Sequence, residues 1–148
     1  MIQLIKLLLH KINLHAMHAY PDECCGMLLG KYDGSVKVVR EVLAMNNTKN
    51  DDRGRRYLIT AKDYQWAEER ARNEGVEILG LYHSHPDHPA EPSAFDLDHA
   101  MPVWSYIIVS VQKAQATSMR SWVLLDDRSR FKEERIDVVD EAVVLPHE

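Results

Sequence analysis

The chain has few of the residues that mark disulfide-rich and membrane-spanning proteins. Its 148 residues include only two cysteines, six glycines and six prolines. The cysteines, Cys24 and Cys25, are adjacent, and neighbouring cysteines rarely bridge each other, so no disulfide framework is predicted. This usage fits the reducing cytoplasm. No apolar run reaches the roughly 20 residues that cross a bilayer, so the sequence predicts no membrane span.

The chain also lacks an excess of basic residues. Its net charge is −5, from 18 Lys and Arg against 23 Asp and Glu. The basic cluster of Arg53, Arg55 and Arg56 is short and is best read as a solvated loop. Nucleic acid is therefore not expected as the main partner. The apolar amino terminus is interrupted by Lys6 and has no small-residue cleavage site, so a secretory signal is not predicted.

The composition that remains fits one α/β domain. With 45% hydrophobic and 28% charged residues, residues 1–148 can form a single globular domain with a full core. The spacing of apolar residues predicts helices at about 3–19 and 60–73, and a short helix from Ser93. Strands are predicted at 24–32, 36–43, 57–59, 76–82, 105–111, 116–125 and 131–139. Because the helices fall between groups of strands, we expect a mixed sheet flanked by helices.

Local signals support several of these boundaries. Asp33 and Gly34 form a hairpin turn signal between the first two predicted strands. Thr60 is predicted to cap the second helix with Asp63 at its third position. Gly75 would end that helix just beyond its last turn. The second helix is therefore expected to begin and end sharply.

The most informative segment runs from His83 to Asp96. His83 and His85 are two residues apart, and Asp96 follows about ten residues later. Residues 76–82 are predicted to form a buried strand, so both histidines would lie at its carboxyl end and point to the same side. Two imidazoles and one carboxylate suit zinc and leave the fourth tetrahedral position open for water, as in a catalytic site. Acceptors that would hold the other ring nitrogens are not identified by the sequence.

A serine completes the spacing of this segment. His83-Ser84-His85-Pro86 is followed by seven residues counted from Pro86 to Pro92, then Ser93, two residues and Asp96. Ser93 can also be read as the N-cap of the short helix, and the two roles are compatible.

This pattern resembles the signature of the JAMM/MPN+ metalloproteases, and the order of elements resembles the JAMM/MPN domain along nearly all of the chain. The resemblance implies a strongly bent, cytidine-deaminase-like α/β sheet. It also implies one Zn²⁺ per chain, bound by His83, His85 and Asp96, with a bound catalytic water.

The same resemblance implies two catalytic residues. Glu23 matches the glutamate that serves as the proton-transferring base in the family, within the sequence Tyr-Pro-Asp-Glu-Cys-Cys-Gly at 20–26. Asp22 is a rival, displaced by one residue; if Glu23 begins a strand, Asp22 would point to the other face. Ser93 would donate its hydroxyl to the developing oxyanion, an interaction commonly worth roughly 3 kcal/mol.

The remaining histidines have simpler readings. His15 and His18 are predicted to lie on a solvated face of the first helix. His88 either touches substrate or faces water, and we favour water. His99 is read as a surface residue rather than a support for Asp96.

Three functions remain open at this level. The chain lacks long insertions and resembles the short bacterial branch of the family, whose members are similar to peptidases that cut after the carboxyl-terminal Gly-Gly of a ubiquitin-like sulfur-carrier protein and release cysteine or a short tail. The alternatives are a JAMM peptidase acting on unrelated peptides and a non-catalytic MPN scaffold. The presence of Glu23, His83, His85, Ser93 and Asp96 argues against the scaffold.

Overall fold

The computed structural model describes residues 1–46 and 59–140. Within these ranges the chain forms three helices, α1 (Lys6–Ala19), α2 (Ala61–Glu74) and α3 (Ala94–His99). The strands are β1 (Ile2–Ile5), β2 (Cys25–Asp33), β3 (Val36–Met45), β4 (Glu77–Pro86), β5 (Ser105–Gln112), β6 (Gln115–Leu124), β7 (Phe131–Glu134) and β8 (Ile136–Val139). The predicted strand at 57–59 falls largely outside the described residues, as does the basic cluster at 53–56.

All of these strands belong to one mixed sheet. The strand order is β7-β6-β5-β4-β2-β3-β1-β8. β4 and β5 run parallel, as do β1 with β3 and β1 with β8, and the other pairs are antiparallel. The fold is therefore the mixed α/β fold that the sequence predicts.

The sheet is nearly closed. β7 and β8 lie at its opposite edges, yet only Arg135 separates them in the chain. The sheet must therefore curl until its edges come together, and the backbone N–H of Ile2 in β1 donates to Arg135 O at 3.0 Å. The strongly bent sheet expected from the family resemblance is confirmed.

Two predicted elements are longer than the corresponding elements of the structure. The helix predicted at 3–19 begins only at Lys6, because Ile2 and Leu4 are fully buried and belong to a strand between β3 and β8. The strand predicted at 131–139 is two strands that break at Arg135. In both places the apolar pattern is correct, but pairing with distant strands decides the structure.

Helices cover the two faces of the sheet. On one face, α1 buries Leu8, Ile12 and Ala16. On the other, α2 buries Ala67 and Ala71. Tyr64, near the start of α2, is half-buried and stacks on Trp104.

The predicted boundaries of α2 and of the first hairpin are confirmed. Thr60 Oγ1 accepts from Asp63 N–H at 3.2 Å, and the Asp63 carboxylate accepts from Thr60 N–H at 3.3 Å. Gly75 ends α2 with a φ of +69°, and Gly34 adopts a φ of +60° between β2 and β3. No helix within the described ranges is long and apolar enough to cross a membrane.

Close packing between β2 and β4 sets the position of the strand that carries the histidines. A Cβ at Gly26 would lie 2.1 Å from the ring of Tyr82, the residue that precedes His83. We therefore expect Gly26→Ala to lower the free energy of unfolding by about 1–3 kcal/mol, because a fully packed interior must move to admit the methyl group. Urea denaturation would measure the loss, and an unchanged midpoint would contradict it.

Candidate metal centre

The two histidines lie side by side near the end of β4. Both belong to the strand and point to the same side, with His83 fully buried and His85 8% exposed. Their Nε2 atoms are 3.2 Å apart. The alternation of a strand, which places residues two apart on one face, produces this arrangement. The predicted location at the carboxyl end of this strand is therefore observed.

The neighbouring strand brings Glu23 to the same place. β2 is antiparallel to β4, with Cys25 opposite His83, so continuing the register places Glu23 opposite His85. Glu23 is 3% exposed, and its carboxylate lies in one group with the ring nitrogens of His83 and His85, with the ligand atoms all within 4.8 Å of one another. Asp22 is exposed and is not part of this group.

Asp96 approaches the histidines from α3. Its Oδ1 lies 3.2 Å from His83 Nε2, and its Oδ2 lies 3.3 Å from His85 Nε2. The capping box of α3 fixes the carboxylate, since Asp96 Oδ2 accepts from Ser93 N–H at 2.8 Å. Burial alone would raise the pKa of Asp96, but the adjoining imidazoles of His83 and His85 and the hydrogen bond from Ser93 N–H hold that pKa well below its usual range.

The protonation of His85 shows why this group suits a cation. His85 Nδ1 lies 2.9 Å from Pro89 O, and a carbonyl only accepts, so Nδ1 carries the proton. In the neutral ring the Nε2 lone pair then faces the Asp96 carboxylate and the other imidazole. Burial lowers the pKa of His85, but the hydrogen bonds to Asp96 and Pro89 outweigh it and raise the pKa overall. A proton or a metal ion must lie between these donor atoms, and the residues fit zinc.

Ser93 lies at the rim of a groove that opens onto this group. It is exposed, and its Oγ accepts from Asp96 N–H at 3.1 Å, so its predicted role as N-cap is confirmed. The hydroxyl proton remains available to a further acceptor. The groove has a volume of about 580 Å³ and is lined by Glu23, His85, Pro86, His88, Pro89, Glu91, Pro92 and Ser93.

Ser84, between the two histidines, has a role that sequence reasoning missed. It is fully buried. Its Oγ accepts from Cys24 N–H at 2.8 Å, and its own N–H donates to Cys24 O at 3.2 Å. These bonds fix the chain next to Glu23 against β4. The sequence did contain a signal for this role. In a strand, a residue between two histidines that share one face must point to the opposite face, and here that face is also buried.

One prediction about the other histidines was wrong. His15 is half-buried rather than solvated, because its Nδ1 lies 2.7 Å from the Tyr82 hydroxyl where α1 packs on the sheet. His18 is exposed as predicted. His99 is exposed and stacks on Phe95 with ring centroids 4.0 Å apart, so its surface location is confirmed. His88 is exposed and lines the groove.

The two cysteines are packing residues. Cys24 and Cys25 are buried free thiols. Burial raises the pKa of Cys24 to about 11 and that of Cys25 to about 12. Neither thiol belongs to the group of candidate ligands formed by the described residues.

A bent α/β sheet with two strand-borne histidines and two buried carboxylates defines a metallopeptidase domain of the JAMM class. The chain belongs to the family described as prokaryotic homologs of the JAB domain, whose sequence profile matches residues 6–125. This membership makes the protein a hydrolase.

Curated relatives support the same class. The CysO-cysteine peptidase of Mycobacterium tuberculosis is 29% identical over 136 residues, which cover 90% of this chain and 88% of that protein. The desampylase of Pyrococcus furiosus is 28% identical over 116 residues, which cover 78% of this chain and 76% of that protein.

Solved structures share the fold. A protein from Desulfitobacterium hafniense has a TM-score of 0.83 at 32% identity and covers 96% of this chain and 95% of its own. A protein from Salinibacter ruber has a TM-score of 0.76 at 40% identity, covering 99% and 97%. A JAMM structure described by its metalloprotease-like zinc site has a TM-score of 0.54 at 22% identity, covering 93% and 95%.

Proposed function

We propose that the protein is a zinc-dependent peptidase that hydrolyses the amide bond after the carboxyl-terminal Gly-Gly of a ubiquitin-like sulfur-carrier protein. The products are the Gly-Gly carrier and a released cysteine or short tail. The observation that carries the proposal is the convergence of His83, His85, Asp96 and Glu23 beside a groove that Glu23 and His85 line. The carrier substrate follows from similarity to the CysO-cysteine peptidase along 90% of the chain.

His83, His85 and Asp96 are the proposed ligands of the zinc. Asp96 makes close contacts with both Nε2 atoms through its two carboxylate oxygens, which is the arrangement of a shared cation. Bound zinc would supply a Lewis acid that polarises the scissile carbonyl and lowers the pKa of a water molecule. The hydrogen bond from His85 Nδ1 to Pro89 O selects the neutral tautomer whose Nε2 lone pair can bind a metal, and it holds the ring in place.

Glu23 is the proposed base. Its carboxylate is buried beside the histidines and also lines the groove, so it can reach both a water at the centre and a substrate amide. It would take a proton from the water and return it to the leaving nitrogen. Ser93, which also lines the groove, would donate its hydroxyl to the oxygen of the scissile carbonyl as negative charge develops there.

The walls of the groove favour an extended substrate. Three of its lining residues are prolines, at 86, 89 and 92, and proline restricts the backbone. A bulky side chain next to the scissile carbonyl would push the chain away from Ser93. A glycine pair avoids this obstruction, which supports a Gly-Gly terminus as the segment that enters the groove.

The substrate prediction can be tested with a carrier that bears a carboxyl-terminal cysteine after Gly-Gly. Intact-mass analysis should find loss of the extension alone, and a chelator should abolish it. Changing the last glycine to valine should lower the rate at least tenfold with little change in carrier folding, because the branched side chain cannot enter the groove. Equal turnover of the Gly-Gly and Gly-Val carriers would reject the proposed preference for glycine.

Two outcomes would redirect the proposal. Hydrolysis of unrelated peptides without turnover of any carrier adduct would keep the peptidase and replace its substrate. Zinc binding without hydrolysis of either kind would favour a scaffold. We propose the cytoplasm for this activity, because Cys24 and Cys25 are free thiols and disulfides are rare in that compartment.

A further inference from the structure

The loop that follows the two histidines is held to the sheet at almost every residue from 87 to 91. Asp87 N–H donates to Val111 O at 2.7 Å in β5. His88 O accepts from the Ser110 hydroxyl at 2.5 Å, also in β5. Pro89 O is the acceptor for His85 Nδ1. The path of this loop therefore determines where the acceptor of a candidate zinc ligand lies.

The next residue of the loop is held by a tryptophan. Trp122 of β6 donates its indole Nε1–H to Ala90 O at 3.0 Å. Ala90 is 2% exposed, so its carbonyl has little access to replacement water. The bond to Trp122 fixes the carbonyl of Ala90. The preceding carbonyl, of Pro89, is the one that orients His85.

An arginine holds the tryptophan and the loop together from outside. The Arg120 guanidinium lies 4.6 Å from the centroid of the Trp122 ring. It also pairs with Glu91 at 3.1 Å and, through two nitrogens, with Glu133 on β7. The indole is thus held by the Arg120 guanidinium next to its ring and by Ala90 O at its N–H.

We propose that Trp122 is a positioning residue for the metal centre, which acts through Ala90 O and Pro89 O on the orientation of His85. This inference rests on the proposed function, since it needs His85 to be a ligand. Without the indole N–H, Ala90 O would be buried without its donor, and the loop would shift to find another. Pro89 O would move with it, and His85 would lose part of its fixed orientation.

The test compares Trp122→Phe with the wild-type protein in zinc affinity, measured by competition with a chromophoric chelator. Phenylalanine keeps an aromatic ring next to Arg120. It lacks the indole Nε1–H donor, and its ring is smaller. Loss of an outer partner of a metal-ligating histidine typically weakens metal binding about tenfold or more, and we expect about that loss here. Trp66→Phe is the matched control, because Trp66 is 48% exposed on α2, and its affinity should equal that of the wild type.

A second readout separates positioning from loss of fold. The Co²⁺-substituted protein reports ligand geometry through its visible spectrum, and Trp122→Phe should shift it while Trp66→Phe should not. Weakening of zinc binding by threefold or more, with a shifted cobalt spectrum and a cooperative thermal transition, supports the proposal. A smaller change in affinity or an unshifted spectrum overturns it. If both His85→Ala and Trp122→Phe retain zinc, the metal site itself is wrong. If Trp122→Phe retains zinc and His85→Ala loses it, only the positioning role fails.

Discussion

Glu23→Gln is expected to lower the turnover of a carrier adduct by roughly a hundredfold to ten-thousandfold, the usual contribution of a positioned proton-transferring group. The amide keeps the shape of the side chain but cannot take the proton from water. Zinc content should remain close to one equivalent, because His83, His85 and Asp96 are unchanged. Steady-state rates and elemental analysis of the same preparation would measure both quantities.

The neighbouring carboxylate provides the control for this variant. Asp22 is exposed, one residue before Glu23, and Asp22→Asn should retain wild-type turnover. If Asp22→Asn is inactive and Glu23→Gln is active, the base has been misassigned. Loss of zinc from Glu23→Gln would instead make Glu23 a ligand, a role that its place within 4.8 Å of the histidines also permits.

Removing a histidine ligand should have the largest effect on the metal. We expect the purified protein to contain close to one zinc per chain, and His83→Ala or His85→Ala to lose most of it together with the activity. Two remaining ligands are too few for a catalytic zinc site, which normally has three from the protein. Elemental analysis of dialysed protein would give the ratio.

His18→Ala is the matched control, because His18 is exposed on α1 and its zinc content should not change. Asp96→Asn should lose zinc as the histidine variants do, and this result distinguishes Asp96 from Glu23 as the third ligand. Full zinc content in both His83→Ala and His85→Ala would refute the site.

The sequence was sufficient to place His83, His85 and Asp96 in one candidate site, because these three residues are close in the chain. His83 and His85 follow from strand alternation, and Asp96 from a fixed offset across one loop. Glu23 could be named only through the family resemblance, since it reaches the site through the pairing of β2 with β4. That pairing joins residues about sixty positions apart, which no local pattern specifies.

The features that the sequence did not reveal depend on long-range pairing. Leu4 fits a helical pattern as well as a strand, and pairing of β1 with β3 and β8 decides between them. The hydrogen bond from Trp122 to Ala90 links two elements 32 residues apart. Local preferences and apolar periodicity contain no information about such contacts.

The nearly closed sheet also has a consequence for how the chain is made. β1 pairs with β8, and Gln3 Nε2 donates to Asp137 Oδ2 across a separation of 134 residues. A ribosome adds about 5–20 residues per second, so several seconds pass between the synthesis of β1 and the synthesis of its partner β8. β4, which carries the histidines, and β2, which Glu23 precedes by two residues, are neighbours at the middle of the sheet. The half of the protein that contains the candidate metal centre can therefore assemble during synthesis, while β1 and β8 can pair only after nearly all of the chain has emerged.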